Sequence, residues 1–308
     1  MARIVFMGSP EFARPFLMAL AEAHQVVGVV TQPDRPAGRG STLRASAVKV
    51  AAQGLGLPVF QPERMDEAAL STLRAWDPQV VVVVAFGQLL TSDVLTLPPH
   101  GCVNVHTSLL PRWRGAAPVT AAILAGDAVT GVTVMKLDEG LDTGPILAQR
   151  EEPIRADDTT ASLLARLGHV GIALLLETLP AYLAGYITPR PQPGTGVTVC
   201  ERLEKKDGRL EWTRSAVELD RQVRAFVPWP RAFTTWNGER LVIHRAVPIP
   251  EWTGEAAPGT VIPLGDGAAV ATGQGALWLV EVQRAGKKAL PIEVFIRGQQ
   301  GFVGAVLG

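Results

Sequence analysis

Residues 102–118, CVNVHTSLLPRWRGAAP, contain the pattern from which the fold of the whole chain can be worked out. The stretch begins with polar residues alternating with β-branched valines, which is typical of a strand. Asn104 and His106 are two positions apart, so a strand places their side chains on one face and the valines on the other. Pro111 cannot donate to a ladder, which predicts that the strand ends before it. An amide and an imidazole therefore lie together at the carboxyl end of a predicted strand.

The segments around this strand predict an α/β fold with a mostly parallel sheet. Short apolar runs alternate with stretches of helical spacing, and the run at 80–85, VVVVVA, is apolar throughout. Strands that are apolar on both faces are typical of a parallel sheet covered by helices on both sides. Ligands bind at the carboxyl ends of the strands in such sheets, which makes Asn104 and His106 candidate site residues. The predicted strands are 3–7, 25–30, 57–60, 80–85, 102–106 and 131–137, and the predicted helices include 45–53, 67–76, 116–125 and 159–183.

The chain changes its pattern after residue 185. Residues 185–200 are rich in Pro, Gly and Thr with little periodicity, which predicts an extended linker. A helical stretch at 216–225 is followed by short strands, and Asn237-Gly238 between two of them is a strong hairpin signal. Several short strands at close spacing indicate a small β-barrel. We expect domains at 1–184 and 204–308, joined by a linker at 185–203.

The overall charge gives no reason to expect general nucleic-acid binding, because 29 basic residues balance 29 acidic ones in the 308-residue chain. One loop, residues 31–49, carries four cations against a single carboxylate, which indicates an anionic partner there. The loop is longer than most connections of its kind, so a functional insertion and a solvated linker are both open. The four cations are Arg35, Arg39, Arg44 and Lys49.

The cysteine content and the apolar runs predict a cytoplasmic protein. Cys102 and Cys200 form neither a disulfide framework nor a zinc-binding spacing, which fits a reducing compartment. The amino terminus lacks the apolar core of a signal peptide. The longest uninterrupted apolar run, 80–86, is far shorter than the roughly 18 residues of a membrane span.

Two catalytic chemistries are weakly supported by the residue types alone. Ser108, His106 and Asp142 could form a hydrolase triad, but the nucleophile motif GxSxG is absent and Ser108 is very close in sequence to His106. His100 and His106 lack a nearby third donor for a metal ion. A single histidine in a strand is commonly structural, so pattern and spacing leave the reaction open.

The motifs NVHTSLLPRWRGAAP at 104–118 and GVTVMKLDEGLDTG at 131–144 resemble the folate-dependent formyltransferases. The resemblance covers nearly the whole chain, and the joint occurrence of the motifs is specific. The loop at 32–40 and the motifs after residue 200 resemble the members of the family that act on a tRNA. The matching motifs are NVHTSLLPRWRGAAP at 104–118, GVTVMKLDEGLDTG at 131–144, QPDRPAGRG at 32–40, LEKKDGRLEW at 203–212, PWP at 228–230 and GKK at 286–288.

The resemblance implies a Rossmann-like formyltransferase domain followed by an OB-like β-barrel that binds tRNA. It implies transfer of the formyl group of 10-formyltetrahydrofolate to the amino group of methionyl initiator tRNA. The reaction would need no metal ion, and the enzyme would be a monomer. Asn104 would donate to the oxyanion, His106 would donate to it or relay a proton, and Asp142 would orient His106.

The resemblance also implies two sets of binding residues. For any single lysine, an ordinary solvated surface remains the alternative. The folate-binding residues would be Phe86, Gly87, Gln88, Leu89, Leu90, Ser108, Leu109, Leu110 and Pro111. The tRNA-binding residues would be Arg35, Arg39, Lys205, Lys206, Lys287 and Lys288, with Arg39 the principal one.

Three other functions are compatible with the same catalytic core. A formyltransferase acting on an amino sugar nucleotide would share the chemistry, although the tRNA-type loop and the β-rich second domain argue against it. A non-enzymatic RNA-binding protein would not need an intact Asn104, His106 and Asp142. A formyl-folate hydrolase would release formate without an amine acceptor.

Overall fold

The computed structural model of the chain describes residues 1–37 and 42–308. The described residues form two compact units, each with a hydrophobic core of its own. Arg39, predicted to contact tRNA, lies outside the described residues. The first unit comprises Met1–Gly115, Val129–Pro153 and Leu164–Cys200, and the second comprises Ala116–Ala128, Ile154–Leu163 and Glu201–Gly308.

The first unit is built on one large sheet with helices packed against it. Its strands are β1 (Arg3–Gly8), β2 (Gln25–Val30), β3 (Arg35–Ala37), β4 (Thr42–Arg44), β5 (Val59–Phe60), β6 (Val80–Val84), β7 (Cys102–His106), β8 (Arg114–Gly115), β9 (Val129–Lys136), β10 (Ile146–Pro153) and β11 (Val199–Cys200). The helices up to residue 183 are α1 (Arg14–Ala23), α2 (Ala47–Gly54), α3 (Glu67–Trp76), α4 (Ser92–Thr96), α5 (Pro118–Ala125) and α6 (Thr160–Leu183). Of these, α5 and the first turn of α6 belong to the second unit.

The large sheet has the strand order β10-β9-β7-β6-β1-β2-β5 in the described part of the chain. Neighbours from β5 to β7 pair in parallel, whereas β9 and β10 are antiparallel to their neighbours. The carboxyl ends of β1, β2, β6 and β7 therefore meet at one edge of the sheet. The predicted Rossmann-like, mostly parallel architecture is confirmed.

Both faces of the sheet are covered, which explains its continuous apolar strands. On one face, Val81 and Val83 belong to the same core cluster as Leu73 of α3. On the other face, Gly171 allows α6 to approach closely, because a Cβ there would lie 3.0 Å from the Phe16 ring and 3.2 Å from Val105. All five residues of β6 are buried as a result.

Helix α6 is long and apolar enough to cross a membrane by length and composition alone. Core helices of soluble proteins have the same composition, and several leucines of this helix are fully buried within the protein. It therefore gives no independent reason to place the chain in a membrane. The buried leucines include Leu163, Leu167, Leu175 and Leu179.

The second unit contains a small antiparallel β-domain. Among the described residues its strands have the order β12-β13-β16-β15-β14, with β17 paired to β16, which is consistent with the predicted OB-like barrel. Asn237 and Gly238 have φ values of 50° and 75° between β12 and β13, so the predicted hairpin is confirmed. The elements are α7 (Ala216–Ala225), β12 (Phe233–Trp236), β13 (Glu239–Ile249), β14 (Val261–Leu264), β15 (Gly267–Ala271), β16 (Ala276–Arg284), β17 (Leu290–Pro291) and α8 (Ile292–Arg297), which was not predicted.

Candidate active site

Strand β7 holds Asn104 and His106 between a parallel and an antiparallel neighbour. Asn104 lies in register with Val83 of β6 and Met135 of β9. The side chain of Asn104 is half-buried, and within residues 1–37 and 42–308 no group hydrogen-bonds to its amide. His106 is 7% exposed. An uncommitted amide donor therefore lies at the carboxyl edge of the sheet, two residues from a buried imidazole.

The imidazole of His106 is held by a hydrogen bond at one nitrogen atom and faces a carboxylate at the other. Nε2 lies 2.9 Å from the carbonyl oxygen of Trp113, and because a carbonyl only accepts, this nitrogen carries a hydrogen. Nδ1 lies 3.7 Å from Oδ2 of Asp142. Nδ1 therefore faces a carboxylate, and it is the nitrogen at which His106 can gain or lose a proton without breaking the bond to Trp113.

Asp142 is fixed by its backbone as well as by its side chain. Its φ is 52°, in the left-handed region, so the loop turns sharply at this residue. Its Oδ2 accepts a 2.8 Å hydrogen bond from the Gly115 N–H. Two residues on, Gly144 has no space for a side chain, because a Cβ would lie 1.8 Å from the Lys136 carbonyl oxygen. The carboxylate is thereby directed toward His106.

The positions of Ser108 and His106 do not support a hydrolase triad. The Ser108 hydroxyl donates to the Arg112 carbonyl at 2.6 Å, and the side chain is fully buried. His106 Nε2, which a triad would direct at the serine, donates to Trp113 instead. The Ser108 hydroxyl is therefore committed to the loop that follows β7 and is not placed as a nucleophile.

Cys102, in the same strand as His106, is not a nucleophile. Burial raises the pKa of the Cys102 thiol to about 12, so it stays protonated near neutral pH.

In the described ranges, no group of three or more His, Cys, Asp and Glu residues could hold a metal ion.

The first segment predicted to hold the folate, residues 86–90, follows β6 at the same edge of the sheet. Gly87 has a φ of 81°, and among the described residues nothing lies within 4 Å of where its Cβ would be. The Phe86 side chain is buried, so this residue can offer a ligand only its backbone. Leu89 is 83% exposed and its side chain is accessible. The other two members, Gln88 and Leu90, are half-buried.

The second predicted folate segment, residues 108–111, is anchored to β9 and β10. Thr133 donates to the Ser108 carbonyl at 2.7 Å and accepts from the Leu110 N–H at 3.1 Å. Gln149 donates to the Leu110 carbonyl at 2.9 Å. Thr133 is in register with His106, so the alternation of β9 could have indicated its role. Leu109 and Pro111 are half-buried.

The basic loop, interpreted from sequence as a surface loop, contains the short antiparallel strands β3 and β4. Lys49 is 2.7 Å from Asp34, so it is paired and does not add to the positive charge of the loop. The hydrogen bond from Lys49, followed by the one from Gln61, holds the pKa of Asp34 below its usual value. Arg35 is exposed and donates to Gln32 at 3.2 Å, and Arg39 is not among the described residues.

The four predicted tRNA-binding lysines are exposed on the second unit. Lys205 and Lys206 lie on a 3-10 turn, and Lys287 and Lys288 lie in the turn after β16. Lys206 is 2.8 Å from Glu204, and this hydrogen bond raises the pKa of Lys206. A phosphate would compete with Glu204 for Lys206, which distinguishes this lysine from the others.

Two residues that sequence analysis did not single out touch the loops around His106. Gln192 hydrogen-bonds to the Asp142 loop, and Thr198 hydrogen-bonds to Trp113. Both lie in the stretch interpreted as a linker. Its proline- and glycine-rich composition carries no signal of these contacts.

Two family models match the chain. The model described as formyl transferase matches residues 2–179, and the model of the formyl transferase C-terminal domain matches residues 202–300. The residues that match the first family model include β7 and the Asp142 loop. Those that match the second include the small antiparallel β-domain.

The chain is also similar to a bacterial relative along nearly its full length. It is 50% identical over 300 residues to the methionyl-tRNA formyltransferase of Myxococcus xanthus, covering 97% of this chain and 95% of that one.

Two solved structures share the fold. An N-formyltransferase from Helicobacter canadensis, in complex with folinic acid and dTDP-3-aminofucose, has a TM-score of 0.69 at 17% identity, covering 92% of this chain and 100% of that one. HypX from Aquifex aeolicus, in complex with tetrahydrofolic acid, has a TM-score of 0.66 at 19% identity, covering 99% of this chain and 48% of that one. From the two family matches and the full-length similarity, it follows that the chain belongs to the formyl transferase family.

Proposed function

We propose that this enzyme transfers the formyl group of 10-formyltetrahydrofolate to the free amino group of methionyl initiator tRNA, giving formylmethionyl-tRNA for translation initiation. The observation that carries the proposal is the 50% identity, over 97% of the chain, to a methionyl-tRNA formyltransferase. That similarity includes the second unit as well as the catalytic sheet. The sugar-acting Helicobacter structure shares the fold at only 17% identity.

The reaction is the attack of a neutral amine on the formyl carbon of the donor. A tetrahedral oxyanion forms, the amine loses a proton, and the folate nitrogen leaves with one. The site must therefore supply a donor to the oxyanion and a group that manages the amine proton. Neither task requires a covalent bond to the enzyme.

Asn104 is the donor to the oxyanion. Its amide is half-buried, and no group within the described residues hydrogen-bonds to it, so it can donate to a substrate oxygen without first breaking another bond. An amide also has no protonation state to maintain. Its place on a central strand fixes the donor before the substrate arrives, which is the arrangement that makes such donors effective.

His106 and Asp142 manage the proton. Because His106 Nε2 is bound to the Trp113 carbonyl, a proton enters or leaves the ring at Nδ1, beside Asp142. Oδ2 of Asp142 is held by Gly115, so the other oxygen can accept the amine proton directly or through water. Of the two roles open to His106, this favours the proton relay.

The folate is held by the segments 86–90 and 108–111, which follow adjacent strands at the same edge of the sheet. The open side of Gly87 and the exposed Leu89 offer backbone and apolar contact to a flat ring. The anchoring of Leu110 by Thr133 and Gln149 gives the second segment a fixed shape.

The tRNA is bound by the basic loop and by the exposed lysines of the second unit. Arg35 and Arg39 would contact the acceptor end, and Lys205, Lys206, Lys287 and Lys288 would contact phosphates.

Three further expectations stay predictions. They are the domain boundaries at 1–184, 185–203 and 204–308, the monomeric state, and the cytoplasmic location.

The function is tested by an assay of the purified protein with 10-formyltetrahydrofolate and four acceptor conditions. We expect formylation of methionyl initiator tRNA, much slower reaction with methionyl elongator tRNA, and none with an amino sugar nucleotide. Without an acceptor, formate should not accumulate. Preference for the sugar nucleotide, or release of formate without an acceptor, would contradict the proposal.

The catalytic roles predict that Asn104→Ala and Asp142→Ala each lower turnover by at least about a hundredfold, the scale seen when an oxyanion donor is removed. Folate affinity, measured by fluorescence or calorimetry, should largely survive. Asp157→Ala removes an exposed carboxylate and serves as the control, with turnover unchanged. Near-normal turnover of either site variant would rule out the role assigned to that residue.

The lysine assignment predicts how tRNA binding depends on salt. In Lys287→Gln/Lys288→Gln, the slope of log affinity against log salt should become shallower by about one for each phosphate that the protein no longer neutralises. Arg74→Gln neutralises an exposed arginine that is paired with Glu67 and should leave the slope unchanged. Equal slopes in wild type and the double variant would show that these lysines are ordinary solvated side chains.

A further inference from the structure

We propose that Gln192 is a positioning residue for Asp142, so that the segment 185–200 forms part of the active site besides joining two parts of the chain. The kinetic part of this inference rests on the proposed function. Its structural part concerns the hydrogen bonds of Gln192, which involve both sides of its amide and hold two backbone carbonyls of the catalytic loop.

All the polar atoms of the Gln192 side chain are in use. Its Nε2 donates to the carbonyl oxygens of Asp142 and Gly144, each at 2.8 Å. Its Oε1 accepts from Arg114, at 3.0 Å from Nε and 2.7 Å from Nη2. Since a guanidinium only donates and a carbonyl only accepts, the amide orientation is unambiguous. The Gln192 amide is therefore fixed in orientation, and it restrains the two loop carbonyls to which it donates.

The two carbonyls that Gln192 holds, those of Asp142 and Gly144, lie in the turn of the catalytic loop. Asp142 has a left-handed backbone conformation, and Gly144 passes too close to the Lys136 carbonyl to carry a side chain. Holding both carbonyls fixes the peptide plane that follows Asp142 and the one that follows Gly144, and this restricts the direction in which the Asp142 carboxylate leaves the backbone. That direction sets the 3.7 Å approach of Oδ2 to His106 Nδ1.

The same segment holds the other partner of His106. Thr198 Oγ1 accepts from the Trp113 N–H at 2.8 Å, and the Thr198 carbonyl accepts from the Arg114 N–H at 2.9 Å. β11 then pairs in parallel with β8. Trp113 supplies the carbonyl that binds His106 Nε2, so residues 185–200 contact both loops between which the imidazole lies.

The chain contains a matched control for Gln192. Gln222 also donates from Nε2 to two backbone carbonyls, those of Asp207 and Arg209 at 2.9 Å each, and its Oε1 accepts from an arginine, Arg214, at 3.5 Å. It belongs to the second unit. The same substitution at Gln192 and Gln222 therefore removes the same kind of interaction at a site that touches Asp142 and at one that does not.

The test compares Gln192→Glu and Gln192→Ala with Gln222→Glu and wild type. The glutamate keeps the acceptor for Arg114 but has neither N–H donor to the loop, so it perturbs Asp142 with little change in packing. We expect both Gln192 variants to lower kcat by about ten- to a hundredfold, the usual effect of loosening the support of a catalytic group. KM for the folate should stay within about twofold. Gln222 supports the turn that carries Lys205 and Lys206, so Gln222→Glu should keep the wild-type kcat when it is measured at saturating tRNA.

Hydrogen exchange supplies a readout that does not depend on the substrate. The Gly115 N–H bonds to Asp142 Oδ2, so peptides containing Gly115 and residues 138–144 should exchange faster in both Gln192 variants and not in Gln222→Glu. Wild-type kcat together with wild-type exchange in the Gln192 variants would overturn the inference. Wild-type protein that fails to formylate methionyl-tRNA would overturn the proposed function instead, and the exchange result would still decide the role of Gln192.

Discussion

The hydrogen bond that His106 Nε2 donates to the Trp113 carbonyl determines what the rest of the site can do. It commits one ring nitrogen to a structural bond and leaves Nδ1, facing Asp142, as the place for proton exchange. A histidine free on both nitrogens could serve as an oxyanion donor or a relay. Here one nitrogen is committed to the backbone, and for this reason we propose the relay for His106 and assign the oxyanion to the amide of Asn104.

The sheet topology makes this arrangement possible. β7 is the last parallel strand before the antiparallel pair β9 and β10, so the loops after β6 and β7 leave the same edge of the sheet. The loop after β9 starts beside the amino end of β7, and it brings Asp142 back to His106. Each loop contributes something different: an open backbone around Gly87, the Trp113 carbonyl, and the Asp142 carboxylate. The strand supplies the rigid base, because its apolar face is buried on the opposite side.

Sequence patterns predicted the elements that depend on local periodicity. Helix Glu67–Trp76 and strand Gln25–Val30 were predicted with the bounds that the structure has, and the alternation in β7 correctly placed Asn104 and His106 on one strand. The short helix Ile292–Arg297 was missed because six residues give too little periodicity to recognise. The resemblance to a family supplied the reaction, which no spacing indicated.

The hydrogen bonds of Gln192 were beyond any sequence pattern. Gln192 is 50 positions from Asp142 and 78 from Arg114, so no local rule links them. Prolines and glycines occur both in free linkers and in segments that pack against a domain, so composition cannot distinguish the two. The same limit applies to Thr198 and Trp113, which are 85 positions apart. Hydrogen bonds between residues so far apart in the chain leave no local pattern in the sequence.

The position of the ring hydrogen on His106 is the decisive measurement for this site. Nitrogen NMR of the wild-type enzyme, with the His106 signals assigned by their disappearance in His106→Gln, reports which ring nitrogen carries a hydrogen. We expect a hydrogen on Nε2 whether the ring is neutral or charged. A neutral ring with its hydrogen on Nδ1 and a bare Nε2 would contradict the account.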